Sequence, residues 1–89
     1  MLEPIYTNKF RKEYVLALKR GIKAKEIDVI VSALIKELKL SDKLRDHALV
    51  GNYQGYRECH VKYDYLLVYR YEPGKIIFEK LGTHSDLFK

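Results

Sequence analysis

Apolar residues recur along the chain with two different periods, and the change from one to the other divides the sequence in two. Over residues 24–39, Ile27, Ile30, Val31, Leu34, Ile35 and Leu38 return every three or four positions. That period places side chains on one face of an α-helix. Upstream, Phe10, Tyr14 and Leu18 recur every four residues, while Lys9, Arg11, Lys12, Lys19 and Arg20 take the other faces. The pattern predicts an amphipathic helix with a basic exterior. Thr7 or Asn8 offers an N-cap, whose side-chain oxygen accepts from a first-turn amide. Gly21 suits the left-handed residue that closes a helix. The connection Gly21-Ile22-Lys23 is short enough to impose an αα-hairpin. Residues 2–7 predict a short strand before the hairpin, and Pro4 points to an edge position.

Beyond residue 55 the period becomes that of strands. Tyr56–Lys62, Tyr65–Tyr71 and Lys75–Leu81 are rich in aromatic and β-branched residues, as half-buried strands are. Glu72-Pro73-Gly74 supplies the turn between the last two, with Pro pre-setting φ and Gly accepting a positive one. A polar stretch, Ser41 to Asp46, and a loop with glycines at 51 and 55 lead into these strands. The order is β-α-α-β-β-β. It predicts an α+β fold with the helical hairpin packed on one face of a mainly antiparallel sheet. The other face is left partly open, with tyrosines and histidines available to it. No repeat, low-complexity tract or linker interrupts the 89 residues, so residues 1–89 read as a single domain. A chain of that size has one core and room for one surface site.

Charge adds an asymmetry that periodicity does not show. Residues 1–45 hold 11 Lys plus Arg against 6 Asp plus Glu, whereas residues 46–89 hold 6 of each. The whole excess of +5 therefore belongs to the strand and helices of the first half. A concentrated positive face favours a polyanionic partner. Cys59 is the single cysteine, which excludes an intramolecular disulfide and a cysteine-based zinc site and fits a reducing cytoplasm. The start, Met1-Leu2-Glu3-Pro4, lacks the features of a signal peptide. No segment approaches the roughly 20 apolar residues needed to span a bilayer. A soluble cytoplasmic protein with no membrane partner is the expectation.

The candidate chemistry lies in the second half. His47 precedes the strands, His60 falls in the first strand of the meander, and His84 follows Gly82-Thr83 at its end. Asp64 marks the bend between the first two meander strands. Histidine's ordinary pKa near 6.5 lets it give or take a proton at neutral pH. RNA cleavage asks for such a pair, one group removing the 2′-hydroxyl proton and another protonating the departing 5′-oxygen. A cation then steadies the charge on the phosphoryl oxygens; Arg57, Lys62, Arg70 and Lys80 are the candidates. Three histidines and an aspartate could instead bind zinc, yet no HxxxH or HxH spacing is present. Of the 8 tyrosines, most should pack, and an exposed subset such as Tyr53 or Tyr63 could stack on unpaired bases.

Two motifs narrow this reading. The run from Leu44 to Val61, with Asp46-His47 followed by Gly55-Tyr56-Arg57 and His60-Val61, then Asp64, resembles the core of YafQ-type toxins of the RelE/ParE toxin–antitoxin superfamily. The ending Gly82-Thr83-His84-Ser85-Asp86-Leu87-Phe88 resembles theirs as well. The resemblance implies a RelE-like toxin domain whose functional positions fall on His47, His60, Asp64, His84 and Phe88. It implies a ribosome-dependent endoribonuclease (an mRNA interferase) that cuts mRNA in the A site by 2′-hydroxyl attack, without metal or cofactor. It also implies a cognate antitoxin, a DNA-binding dimer, as partner. By that likeness His84 is the general acid, His47 or His60 the base, Asp64 the group orienting a histidine, and Phe88 a contact for mRNA. Position 65 carries Tyr where related sequences often carry Trp. Lys9, Arg11 and Lys12, with Lys19, Arg20, Lys23 and Lys25, supply a face for ribosomal RNA phosphates or for an acidic antitoxin segment. Alternatives on the same scaffold are a ParE-like inhibitor of DNA gyrase, which would not need the histidines, and a weak ribosome-independent ribonuclease.

Overall fold

A computed structural model describes residues 1–88. The chain runs through β1 (Glu3–Tyr6), α1 (Asn8–Lys19), α2 (Ala24–Ile35), β2 (His47–Ala48), β3 (Arg57–Lys62), β4 (Tyr65–Glu72), β5 (Lys75–Thr83) and α3 (His84–Leu87). Its five strands form one sheet in the order β1-β5-β4-β3-β2. β1 lies parallel to β5 at one edge, and the remaining pairings are antiparallel. The expected α+β layout is therefore present, with Pro4 on an edge strand. Two short elements add to the predicted order: β2, two residues long, and α3, four residues long. Neither is long enough to display a period.

Local chemistry explains where the helices begin and end. The Thr7 hydroxyl accepts from the Phe10 amide at 2.9 Å and donates to the Glu79 carbonyl at 3.0 Å. One side chain thus caps α1 and ties it to β5. At the other end the Ile22 amide donates to the Ala17 carbonyl at 3.0 Å, and Gly21 donates to Leu18 at 3.1 Å. This is a Schellman closure around Gly21, whose φ is +95°. α2 closes in the same way, with Leu38 donating to Ala33 and Glu37 to Leu34, and here Glu37 takes the left-handed place at φ +60°. The helix therefore stops at Ile35, a turn short of the predicted residue 39. Leu38 is left 58% exposed. On α1 the buried line is Phe10 and Ala17, with Tyr14 half-buried, and Leu18 sits outside it.

The main core lies between the helical hairpin and one face of the sheet. Phe10, Ile27, Ile30 and Leu34 meet Leu67, Tyr69, Ile76 and Phe78 there. Cys59 belongs to this layer, and burial pushes its thiol up to about 12, so it behaves as an apolar filler. A second, smaller cluster occupies the opposite face: Leu66, Val68 and Leu87, with Leu49, Tyr56 and Phe88 packed on it. That face is consequently not bare. α3 and the segment carrying residues 49–56 roof part of it, and the site forms beside this roof. Among the described residues, no helix is long and apolar enough to cross a membrane.

Candidate active site

Strand register assembles the site. His47 pairs with Glu58 across β2 and β3, Glu58 with Val68 across β3 and β4, and Val68 with Lys80 across β4 and β5. Residues paired in register share a face, with Cβ atoms roughly 5 Å apart. His47, Glu58, Val68 and Lys80 thus form a transverse row on the face away from the helical hairpin. The next row is His60, Leu66 and Gly82.

Glu58 stands at the centre of the first row. It is 4% exposed. Its Oε2 lies 3.0 Å from His47 Nε2, and its Oε1 lies 4.0 Å from His84 Nε2. Oε1 has no hydrogen-bond partner, an unusual condition for a buried carboxylate oxygen. The ring of His47 is held on its other side, where Nδ1 lies 2.5 Å from the Arg45 carbonyl oxygen. A carbonyl only accepts, so Nδ1 carries a hydrogen and donates it. The Nε2–Oε2 contact then requires one further proton, either on the imidazole facing a carboxylate or on the carboxyl facing a neutral ring. His47 and Glu58 together form a device for holding that proton.

His84 approaches from α3. Its Nδ1 lies 2.8 Å from Asp64 Oδ1, and its backbone amide donates to the same oxygen at 3.4 Å. The hydrogen bond from the His84 side chain, foremost among several causes, holds the Asp64 carboxyl below the usual range. An ionised Asp64 only accepts, which assigns a hydrogen to His84 Nδ1 and turns Nε2 toward Glu58. His60 donates from Nδ1 to the Tyr63 carbonyl at 3.1 Å, at the bend that carries Asp64. The four residues singled out as catalytic candidates, His47, His60, Asp64 and His84, therefore stand on one face around Glu58. The sequence reading did not include Glu58. Strand alternation offered the clue, because position 58 shares a face with His60.

α3 is placed by a compact set of contacts. Thr83 caps it, with the Asp86 amide donating to Thr83 Oγ1 at 3.1 Å and the Thr83 amide to Asp86 Oδ2 at 3.1 Å. Arg20, from the end of α1, reaches the same Asp86 Oδ2 at 2.6 Å and the Tyr65 hydroxyl at 3.4 Å. Tyr65 is itself buried on the hairpin side of the sheet. Gly82 lets α3 lie against β5, since a Cβ there would stand 3.0 Å from Asp86 Oδ2. The Arg20 guanidinium, aided by the Thr83 amide, lowers the Asp86 carboxyl to about 2. A carboxyl depressed in the folded state stabilises the fold above its unfolded pKa near 4, and that contribution fades as pH falls toward 2. Both partners touch water, so solvent screening makes it much smaller than the full shift. Melting curves between pH 5 and pH 2 should show a steeper acid loss in the wild type than in Asp86→Asn. Parallel curves would mean that the brace adds nothing to stability.

The cations divide by position. Lys80 Nζ lies 5.2 Å from the ring centre of Tyr53 and 5.9 Å from that of Phe88, and those rings meet edge to face at 4.9 Å. Phe88 also lies 5.9 Å from the His84 ring. Lys80 and Phe88 thus border the histidines. Arg57 does not, because it faces the hairpin side. There it reaches Asp46 at 3.3 Å and the Tyr69 hydroxyl at 3.4 Å, while Tyr69 also donates to Asp46. Lys62 pairs with Glu26 on α2 at 3.6 Å. Arg70 is held between Glu72 and Glu79 at 2.5 Å each. Lys9, paired with Glu13 at 3.7 Å, Arg11 and Lys12 lie on α1, across the sheet from the histidines. A cavity of about 680 Å³ opens between Leu38, Asp42 and Arg57, and no histidine lines it. Among the described residues, no group of three or more His, Cys, Asp or Glu is arranged to hold a metal ion.

The chain matches, over residues 2–89, the family described as bacterial toxin of type II toxin–antitoxin system, YafQ. The mRNA interferase toxin YafQ of Escherichia coli K12 is 34% identical over 84 residues, spanning 93% of this chain and 91% of that protein. The structure of the Escherichia coli DinJ–YafQ complex superposes with a TM-score of 0.91 at 32% identity, covering both chains in full. A copper-bound mutant toxin from Helicobacter pylori gives a TM-score of 0.94 at 34% identity, covering 99% of this chain and all of that one.

Proposed function

This chain belongs to the YafQ family of toxins of bacterial type II toxin–antitoxin systems, and from that premise we propose that it is an endoribonuclease that cuts mRNA in the ribosomal A site by metal-independent acid–base catalysis. The observation that supports this most directly is the convergence of His47 and His84 on the two oxygens of the buried Glu58. The name mRNA interferase borne by a 34% identical relative favours this reading over gyrase inhibition.

In this scheme the Glu58–His47 pair is the base. With its proton on His47, Glu58 presents the unpartnered Oε1 to the same space as His84 Nε2. Oε1 removes the proton of a 2′-hydroxyl as that oxygen attacks the adjacent phosphorus. His84, charged and steadied through Nδ1 by Asp64, gives its Nε2 proton to the departing 5′-oxygen. The products are a 2′,3′-cyclic phosphate and a 5′-hydroxyl end. Lys80 neutralises charge on the non-bridging oxygens, and Phe88 borders the bound strand. His60 fixes the bend that presents Asp64. Each proton transfer is assigned to a side chain, which leaves no step that needs a metal.

The distribution of charge supports a dependence on the ribosome. Lys80 is the one cation beside the histidines that has no carboxylate partner among the described residues, so free RNA gains little electrostatic grip there. The concentrated positive charge lies on α1 and its neighbours, across the sheet. A protein that docks on ribosomal RNA through one face and cuts through the other has this arrangement. A cognate antitoxin completes the system, as DinJ does for its YafQ partner.

Mapping mRNA 5′ ends by primer extension in a reconstituted translation reaction, with and without ribosomes, tests the proposal. Cuts within A-site codons should appear only with ribosomes. Naked RNA in EDTA-containing buffer should remain largely intact, with any residual cutting unchanged by metal removal. Equal cutting of naked and ribosome-bound mRNA would refute the ribosome requirement, and abolition of residual cutting by EDTA would refute metal independence.

A further inference from the structure

Tyr63 forms the tip of the β3–β4 hairpin, and nothing in the fold uses its ring. It is 87% exposed, the most exposed aromatic side chain of the described residues. Its backbone is in the left-handed region at φ +48°, where L-residues other than Gly, Asn and Asp are disfavoured. A hairpin tip with this φ is ordinarily Gly or Asn. The chain thus keeps a strained, solvent-facing aromatic where a small residue would fold better. Such strain concentrates at functional sites.

Its surroundings indicate the function. The Tyr63 carbonyl accepts from His60 Nδ1 at 3.1 Å, and the next residue, Asp64, holds His84. The aromatic pair on the other side of His84, Tyr53 and Phe88, is packed edge to face beneath Lys80. Tyr53 therefore offers no free face comparable to that of Tyr63. Lys62 Nζ lies 5.9 Å from the Tyr63 ring centre, but its charge is engaged by Glu26 on α2 at 3.6 Å, which leaves the ring itself as the feature open to a ligand.

We infer that Tyr63 is a stacking platform for one unpaired base of the single-stranded substrate, next to the phosphate that is cut. The inference rests on the ribonuclease reading and adds a specificity-determining residue to it. Tyr63 takes no part in proton transfer. It holds one nucleotide so that the neighbouring phosphate meets Glu58 and His84. Base–aromatic stacking tolerates any base because every base has a π-face, so the platform sets affinity and register more than base identity.

The test uses Tyr63→Asn, Tyr63→Phe and Tyr63→Trp with ribosomes programmed by mRNA, the A-site codon carrying 2-aminopurine, whose fluorescence is quenched by stacking. Tyr63→Asn should raise the toxin concentration for half-maximal cleavage about 10-fold, within the range that loss of one base stack produces. The maximal rate should stay within about twofold, the quenching should disappear, and Phe and Trp should restore both. The melting temperature of Tyr63→Asn should meanwhile rise by about 4 °C through relief of the left-handed strain. That combination, a more stable protein that holds RNA less well, is what a purely structural role would not produce. Unchanged half-saturation and quenching in Tyr63→Asn would overturn the inference. So would a loss confined to antitoxin affinity, which would make the ring a protein contact. Quenching is read separately on a cleavage-blocked mRNA with 2′-deoxy sugars in the codon. Wild-type quenching without any cutting of normal mRNA would sink the ribonuclease reading and leave the stacking platform standing.

Discussion

Glu58→Gln is expected to lower the cleavage rate by roughly 10²–10⁴-fold, the usual yield of a positioned acid or base, while leaving the protein folded. The side chains have nearly the same volume, and the amide NH2 can donate to the unprotonated His47 Nε2. What disappears is the capacity of Oε1 to take a proton in the space that it shares with His84 Nε2. Single-turnover cleavage of ribosome-bound mRNA measures the loss directly. The pH profile identifies its cause, because a missing base removes the limb on which rate rises with pH, whereas a mere change in binding shifts half-saturation. A Glu58→Gln protein that cuts at the wild-type rate would move the base to His47, whose Nε2 would then act alone.

His84→Ala should cost a similar factor, roughly 10²–10⁴, and the identity of the step separates it from Glu58. A general acid matters only while the leaving oxygen needs a proton. An mRNA with sulfur in place of the bridging 5′-oxygen departs as a thiolate and should be cut almost equally fast by wild type and His84→Ala. The Glu58→Gln defect should persist on that substrate, because the 2′-hydroxyl still has to lose its proton. A His84→Ala defect that persists with the sulfur leaving group would exclude His84 as the acid and leave it a binding role. Asp64→Asn lies between these extremes. It keeps the contact with His84 Nδ1 but removes the charge that steadies the imidazolium, so its effect should be smaller than that of His84→Ala.

The long elements were legible because burial imposes a period on them. Ile27, Ile30, Val31 and Leu34 read as a helix face and are one, and the three meander strands lie within a residue or two of their predicted bounds. Leu38 continued the helical period but ended outside, because Glu37 takes the left-handed turn that a sequence pattern does not reveal. β2 and α3 were silent for a different reason. Each is held by partners distant in the chain, His47 by Glu58, and α3 by Gly82 and by Arg20 from α1. The site was legible in its histidines and in Asp64, whose residue types announce proton chemistry. Glu58 was hidden among alternating strand residues, where a glutamate usually marks the solvent side. The cations were the least readable. Arg57, Lys62, Arg70 and Lys80 look alike in sequence, and only the positions of Asp46, Glu26, Glu72 and Glu79 determine which of them is free.

The parallel seating of β1 against β5 has a bearing on the order in which the molecule comes together. The hydroxyl of Thr7 reaches the carbonyl of Glu79 across 72 residues of chain, so this edge closes the largest loop in the fold. Loop closure grows costlier with length, and distant pairings form slowly. The β3–β4–β5 meander, by contrast, needs only tight turns, and it holds Glu58, His60, Asp64 and Lys80 and leads straight into His84. Most of the proposed proton-transfer apparatus is therefore encoded in one local stretch that can zip up early. The first strand acts as the late clasp that locks the helical hairpin over it.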